Sequence, residues 1–174
     1  MSNRLLLGPS GCGKTTVLRS IAGFEQPSRG EISLNGKKLS GFKTHVDPEK
    51  RHIGMVFQDI ALFPHLSVEE NIQFGMRSWS HEKRKKRSQE LLDLIGMSQF
   101  MKKYPHQLSG GQQQRIALAR AMAPKPSLLL MDEPFSSLDI ELREQLAREV
   151  RLILKHENIS ALLVTHDQNE AFAM

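Results

Sequence analysis

The feature that most constrains the fold of this chain is a glycine-rich loop close to its start. The loop comprises nine consecutive residues: Gly8, Pro9, Ser10, Gly11, Cys12, Gly13, Lys14, Thr15 and Thr16. Its pattern, G-x-x-x-x-G-K-[ST], follows an apolar strand candidate at residues 5–7. When such a loop joins a strand to a helix, its backbone N–H groups point at phosphate oxygens and the helix dipole adds positive potential. The lysine supplies a charge for the β and γ phosphates, and the threonine hydroxyl can bind Mg²⁺. We therefore predict a phosphate site formed by all nine residues, rather than a glycine turn that only connects two elements.

The length and composition restrict the class of protein. A chain of 174 residues can bury a core and favours one α/β domain over two. It contains no run of about 20 apolar residues and no secretory signal at its start, so we expect a soluble chain without a transmembrane segment. The single cysteine, Cys12, excludes an internal disulfide framework and is expected to be a small filler within the loop.

The net charge of +5 is concentrated in one segment. Residues 77–87 contain six basic residues and one acidic residue, and the rest of the chain has equal numbers of each. This basic run continues into apolar residues at 91–95. We predict a helix with a solvated basic start and an apolar end, and attraction to an anionic membrane surface or to a partner is the alternative.

Alternating strand and helix patterns predict a mostly parallel sheet. Strands are predicted at residues 5–7, 53–57, 128–131 and 161–165, a strand and turn at 30–36, and helices at 15–22, 112–123 and 142–154. Ser67 and Glu70 predict a capping box at the start of a helical region that extends to residue 103. Residues 42–50 are predicted to form a loop.

Four residues with suitable chemistry follow predicted strands, namely Gly8, Gln58, Asp132 and His166. Ligands of parallel sheets bind beyond the carboxyl ends of the strands. We therefore expect these residues to meet in one crevice.

The residues at these strand ends have predicted chemical roles. Asp132 is predicted to bind Mg²⁺ together with Thr15, and Glu133 to orient and deprotonate the water that attacks the γ-phosphate. The Gln58 amide can reach Mg²⁺ or the water, and His166 can donate a hydrogen bond to the γ-phosphate or fix Glu133. Taken alone, each has a simpler explanation: a solvated acid, a surface glutamine or a buried histidine.

The segment 108–115, with sequence LSGGQQQR, resembles the signature motif of the ABC transporter ATPases. Other motifs of that family occur in order: the phosphate loop at 8–16, the Q-loop at Gln58, the Walker B motif at 128–133, the D-loop at 136–139 and the switch histidine at His166. The resemblance implies one ABC ATPase domain at 1–174 with the P-loop NTPase α/β fold. Its three-layer core with a mostly parallel sheet would comprise about 1–63 and 109–174, and a helical subdomain would be inserted at about 64–108.

The same resemblance implies ATP and Mg²⁺ as cofactors and a defined set of partners. The signature motif precedes a predicted helix, and the N-terminus of that helix would form a second anion-binding site besides the phosphate loop. In this family the signature motif of one protomer contacts the ATP bound to the other protomer of a head-to-tail dimer. The residues expected to make that contact are Ser109, Gly110, Gly111, Gln112 and Asp139. Transmembrane permease subunits, and indirectly an extracytoplasmic solute-binding protein, are the other expected partners, at the cytoplasmic face of the inner membrane. No nucleic-acid partner is expected.

The segment 57–66, FQDIALFPHL, is similar to importers of ferric iron, polyamines, sulfate and related solutes. Ferric iron is the solute that this likeness favours, and polyamine, sulfate, molybdate and thiamine are alternatives.

The chain departs from the family pattern at both ends. Only seven residues precede the phosphate loop and none is aromatic, although family members stack an aromatic side chain on adenine. Because base stacking contributes about 1–3 kcal/mol, nucleotide affinity would fall about ten- to a hundred-fold. We expect N-terminal strands and a C-terminal part to be missing, so a non-catalytic truncated fragment is the main alternative. A soluble ABC ATPase acting on nucleic acid or ribosomes is disfavoured, because Lys14 and Ser109 are 95 residues apart and the chain between them lacks sustained heptads.

Overall fold

The computed structural model describes residues 3–8, 11–136 and 138–167. The strands are β1 (Asn3–Leu7), β2 (Ile32–Leu34), β3 (Lys37–Gly41), β4 (Thr44–His45), β5 (Ile53–Val56), β6 (Leu128–Asp132) and β7 (Ser160–Thr165). The α-helices are α1 (Lys14–Ala22), α2 (Val68–Gln73), α3 (His81–Leu94), α4 (Gly110–Met122) and α5 (Ile140–Glu157). None of the helices in these ranges combines the length and the apolar character needed to cross a bilayer.

The main sheet has four parallel strands in the order β1-β7-β6-β5. In its centre, Leu129 of β6 is in register with Ala161 of β7 on one side and with Gly54 of β5 on the other. Parallel neighbours need long crossover connections, and the helices lie in those connections. The first and last strands, β1 and β7, pair directly, with Leu5 opposite Leu163.

Alternate residues of the central strands face opposite helical layers. Leu129 and Met131 pack with buried side chains of α4 and α5 in the larger core. Leu130 and Val164 pack on the other face against Leu18 of α1. The period of two along each strand therefore places the sheet between two layers of helices. The predicted α/β fold with a mostly parallel sheet is confirmed.

A second, antiparallel sheet of order β2-β3-β4 follows α1. Asn35 and Gly36 join β2 to β3 with φ of 50° and 77°, as a type I′ hairpin turn requires. The predicted strand and turn are confirmed there. Residues 42–50, predicted as a loop, instead contain β4 and a 3₁₀ helix, Pro48–Lys50. A two-residue strand has no periodicity to detect, which is why this prediction was wrong.

Arg51 attaches the small sheet to α1. Its guanidinium donates to Ser40 Oγ of β3 at 2.7 Å and to Ile21 O of α1 at 2.9 Å. Burial lowers the pKa of Arg51. Gly23 ends α1 beneath this side chain, and a Cβ on it would lie 2.4 Å from Arg51 Nε. The cation thus satisfies carbonyl groups at the negative end of the helix dipole.

The middle of the chain is helical but not continuous. α2 begins at the predicted capping box: Glu70 N donates to Ser67 Oγ at 3.3 Å, and Ser67 N donates to Glu70 Oε2 at 2.8 Å. Short 3₁₀ helices at Phe74–Met76, Ser98–Phe100 and Pro105–Gln107 interrupt the region between α2 and α4. α4 itself begins at Gly110, two residues before its predicted start at 112.

Arg87 does not belong to the solvated surface that the basic run predicted. It is 5% exposed, and its Nη2 forms an ion pair with Glu157 Oε2 at the end of α5. Its Nε and Nη2 also donate to Ala123 O and Met122 O at 3.4 Å. Burial raises the pKa of Glu157, but the hydrogen bond and charge of Arg87 outweigh it, so that pKa is lowered. The prediction that the basic run is solvated therefore holds for the exposed lysines of α3 and was wrong for Arg87.

Candidate functional site

The phosphate loop joins β1 to α1. Gly11 and Gly13 have φ of 81° and 93°, a left-handed conformation that strains any residue with a side chain. Gly8 is needed for a different reason, since a Cβ on it would lie 2.9 Å from Cys12 Sγ. Pro9 and Ser10, which were also predicted to bind phosphate, lie outside the described residues.

Lys14 opens α1 and directs its side chain back into the loop. Its Nζ donates to Gly8 O at 2.7 Å and lies 3.9 Å from Cys12 Sγ. The residue is buried, whereas Thr15 and Thr16 are exposed in the same helical turn. The ammonium group is therefore held beside the N-terminus of α1, where the helix dipole also favours an anion.

Thr15 and Asp132 are far apart in the sequence and meet beside the loop. Thr15 Oγ1 donates to Asp132 Oδ1 at 3.3 Å. Burial raises the pKa of Asp132, and the hydrogen bond from Thr15 offsets this only in part. A hydroxyl and a desolvated carboxylate at this spacing suit Mg²⁺, whose adjacent octahedral ligands lie about 3 Å apart. No group of three or more His, Cys, Asp or Glu that could hold a metal occurs in the described part of the chain.

Glu133 and His166 follow the neighbouring strands β6 and β7. Glu133 has φ of 44°, and its N–H extends the ladder by donating to Val164 O at 2.9 Å. Its Oε2 lies 3.2 Å from His166 Nδ1. Ser136 Oγ donates to the Glu133 carbonyl at 3.0 Å and closes the turn after the strand. The strained left-handed residue thus brings the Glu133 carboxylate to the predicted histidine.

Gln58 lies beyond the end of β5, in a groove beside the helical part of the chain. This groove, which we call the Q-groove, has a volume of about 480 Å³ and is lined by residues 58–62, Pro64, Pro105, His106 and Gln113. The contacts among the described residues place Gln58 there and do not join it to Thr15 or Asp132. Its role toward the metal stays a prediction.

Ser109 and Gln112 form a second capping box, at the start of α4. Gln112 N donates to Ser109 Oγ at 3.3 Å, and Ser109 N donates to Gln112 Oε1 at 3.0 Å. Gly110 is exposed, whereas Gly111 packs so closely that a Cβ on it would lie 3.3 Å from Leu142 Cδ2 of α5. α4 packs on β5, and the phosphate loop follows β1 at the opposite edge of the sheet. The two predicted phosphate sites therefore occupy different parts of one chain.

Asp139, predicted to contact ATP, is the N-cap of α5, where its Oδ1 accepts from Leu142 N at 3.0 Å. Ser137 of the same D-loop lies outside the described residues. Arg143 fastens this region, donating to Asp167 Oδ2 at 2.7 Å and to Leu138 O at 2.9 Å. Sequence reasoning missed both members of this ion pair. The position of Asp167 directly after His166 was a usable signal, but Arg143 is only a polar residue of an amphipathic helix in the sequence.

The fold and the glycine loop define a nucleotide-binding α/β protein of the P-loop class. A family model described as "ABC transporter" matches residues 2–136, and the chain belongs to this family as an ATP-binding domain. "Fe(3+) ions import ATP-binding protein FbpC 2" of Haemophilus influenzae is 49% identical over 168 residues, which are 95% of this chain and 47% of that protein. "Putrescine transport ATP-binding protein PotG" of Escherichia coli K12 is 52% identical over 171 residues, which are 97% of this chain and 44% of that protein. The chain thus spans about half the length of the curated relatives it matches.

A solved structure shares the fold. It is described as the "Dimeric structure of a post-hydrolysis state of the ATP-binding cassette MJ0796 bound to ADP and Pi" and superimposes with a TM-score of 0.81 at 34% identity. The match covers 99% of this chain and 78% of that one. The P-loop NTPase fold of the ABC ATPases is therefore shown for this chain.

Proposed function

We propose that this chain binds Mg²⁺-ATP and hydrolyses it to drive solute import through separate membrane subunits. The observation that carries the proposal is the arrangement at the carboxyl edge of the sheet, where Thr15 meets Asp132 and Glu133 meets His166. The carboxylates of both pairs lie at the end of β6, in the same sheet as β1, the strand that leads into the loop beside Lys14. Relatives named as ATP-binding proteins of importers, and a cassette bound to ADP and Pi, support the same activity.

Each side chain of the site has a distinct role in this proposal. The loop amides and Lys14 bind the β and γ phosphates, because they present positive charge at a helix N-terminus. Thr15 and Asp132 hold Mg²⁺, which neutralises charge on the phosphates when it is bound. Glu133 orients the attacking water and accepts its proton. His166, whose Nδ1 lies 3.2 Å from Glu133 Oε2, holds that carboxylate in place or donates to the phosphate.

The signature residues are proposed to act on ATP bound to a second copy of the chain. Ser109 and Gly110 are exposed at the start of the 13-residue helix α4, beside a groove of about 310 Å³. The N-terminus of a helix of this length suits an anion. Solved relatives are described as dimeric, which supports pairing of two copies, and the head-to-tail arrangement of the pair is our proposal. Closure of one copy's signature on the other copy's phosphate loop would enclose the nucleotide, and hydrolysis would release it.

The Q-groove is proposed as the contact for a transmembrane permease subunit. It lies between the end of β5 and the start of α4, where the proposed ATPase core, about 1–63 and 109–174, meets the proposed helical subdomain, about 64–108. A partner bound there would be sensitive to the position of Gln58. This contact would hold the chain at the cytoplasmic face of the inner membrane, and a solute-binding protein would act through the permease only.

Ferric iron is the first solute to test, and polyamines are the alternative. The relatives named for Fe(3+) and for putrescine are 49% and 52% identical to this chain, so identity does not choose between them. Uptake assays with either solute would need the permease that selects it.

Turnover of Mg²⁺-ATP by the purified chain and by Glu133→Gln tests the proposal. We expect the wild type to hydrolyse ATP, and the variant to bind ATP, lose turnover by about a hundred-fold or more, and elute as a dimer with ATP. Glu49→Gln, which removes an exposed glutamate from Pro48–Lys50, is the matched control and should keep the wild-type rate. A wild-type chain that does not bind ATP, or binds it without turnover, would contradict the proposal, and equal measurable rates of the two proteins would exclude Glu133 as the base.

A further inference from the structure

The segment that carries Gln58 needs an external constraint to keep its shape. Residues 57–66 run from β5 to the cap of α2 without helix or strand. In its middle, Ala61 has φ of 48°, a left-handed conformation that is unfavourable for a residue with a Cβ. A segment of this kind adopts one conformation only where its surroundings impose it.

Arg120 of α4 supplies that constraint. Its Nη1 donates to Ala61 O at 2.8 Å. Between described residues, no other hydrogen bond involves residues 58–62. The following part of the segment is held separately, since Asn71 Nδ2 donates to Phe63 O at 3.1 Å.

The same guanidinium ends a row of four neighbouring side chains, which we call the Arg-Phe ladder: Arg120, Phe63, Phe74 and Arg77. Arg120 Cζ lies 5.2 Å from the Phe63 ring centroid, the two phenylalanine centroids are 4.2 Å apart, and Arg77 Cζ lies 4.0 Å from the Phe74 centroid. Cations are attracted to ring faces, and more strongly where water is excluded. Burial lowers the pKa of Arg120, which is consistent with such a site. The ladder therefore orients the guanidinium while Ala61 O accepts a hydrogen bond from it.

α4 carries two functional positions at opposite ends. Its N-cap and first turn contain Ser109 and Gln112, and its last turn contains Arg120. We propose that Arg120 is a positioning residue that fixes the Gln58 segment to α4, so that Gln58 and the signature end of the helix move together. The catalytic consequence rests on the proposed ATPase function. Lysine cannot replace Arg120, because a compact ammonium cannot both donate to Ala61 O and stack on Phe63.

Backbone ¹⁵N relaxation without nucleotide tests the contact itself. In Arg120→Lys, we expect the order parameters of the amides of residues 58–62 to fall from rigid values of about 0.85 to below about 0.6, while those of β6 keep the wild-type values. Arg148→Lys, an exposed position on α5, is the matched control and should leave both regions unchanged. Unchanged order parameters at 58–62 in Arg120→Lys would overturn the proposal, as would lower values throughout the chain.

ATP turnover tests the consequence. We expect Arg120→Lys to lower kcat about ten-fold with KM within about two-fold of the wild type. In a Gln58→Ala background the same substitution should change kcat by less than about two-fold, because the residue through which it acts is already lost. Equal losses of kcat in both backgrounds would overturn the positioning role. A wild-type chain without turnover would contradict only the proposed function, and the relaxation experiment would still decide whether Arg120 holds the segment.

Discussion

The buried ion pair between Arg87 and Glu157 allows a quantitative test of how the helical middle of the chain is fastened to its core. The two side chains are 6% and 12% exposed, and they join α3 to the end of α5. Because Arg87 also donates to the carbonyl groups of Met122 and Ala123, three helices meet at one guanidinium.

The expected cost of breaking the pair follows from what each substitution leaves behind. Glu157→Gln keeps an acceptor oxygen but leaves Arg87 with Glu90 as its counter-charge, which is half-exposed and more distant, with its Oε2 3.8 Å from Arg87 Nη1. Removing one partner of a buried pair costs about 3–5 kcal/mol. Because Arg87 keeps its carbonyl acceptors and Glu157 touches some water, we expect about 2–3 kcal/mol for this variant. Arg87→Met should cost about 3 kcal/mol, and the double variant no more than that, which gives a coupling of about 2 kcal/mol.

The effect of pH on this pair has a definite sign. The pKa of Glu157 is lowered in the folded chain, so its stabilisation is present above the unfolded carboxyl pKa, about 4.3, and is lost as pH falls through the folded value. The difference in unfolding free energy between the wild type and Glu157→Gln should be present in full at about pH 5 and shrink below about pH 4.

Urea unfolding followed by the fluorescence of Trp79, the single tryptophan of the chain, measures these differences. Trp79 precedes α3 and packs against the larger core, so it reports on the joined elements. Glu144→Gln, from an exposed pair with Arg148, is the control and should cost less than about 0.5 kcal/mol. Wild-type stability of Glu157→Gln at pH 7, or a difference that widens as pH falls from about 5 to 3, would refute the reasoning.

Three further substitutions test other parts of the structure. Gly54→Ala should destabilise the chain by about 1–3 kcal/mol in urea, because its Cβ would lie 2.6 Å from Ala121 O, whereas the exposed Gly75→Ala should stay within about 0.5 kcal/mol; equal midpoints would contradict this. Ser67→Ala removes a capping box and should cost about 1 kcal/mol by the same measurement, and no loss would show that the cap is dispensable. Asp132→Asn should weaken Mg²⁺-ATP binding about ten-fold or more by calorimetry without lowering the melting temperature in EDTA. Burial raises the pKa of Asp132, so its ionised form opposes folding at neutral pH and its removal does not destabilise; a lower melting temperature would contradict that sign.

Features that depend on neighbouring residues could be predicted from the sequence. The capping box of Ser67 and Glu70 involves residues three apart, and the strands that lead to Gly8, Asp132 and His166 are recognisable as short apolar runs. The α/β fold follows from their alternation with helices, because this alternation favours a parallel sheet. Two-residue elements such as β4 escaped prediction, since two residues are too few to repeat a pattern.

Features that depend on distant residues could not be predicted in this way. The Arg87–Glu157 bond spans 70 positions and the Arg120–Ala61 bond spans 59, and no local pattern marks either pair. The basic run at residues 77–87 therefore predicted a helix start that is solvated throughout, although Arg87 at its end is buried.

The sequence by itself determined the glycine loop, the secondary structure around it and the ABC transporter signature, because these depend on residues within a few turns of one another. Only the tertiary structure decided the strand order, the meeting of Thr15 with Asp132 and of Glu133 with His166, and which charges are buried. The physical reason is that the free energy of a charged or polar group depends on the groups packed around it, and here those groups come from other segments of the chain.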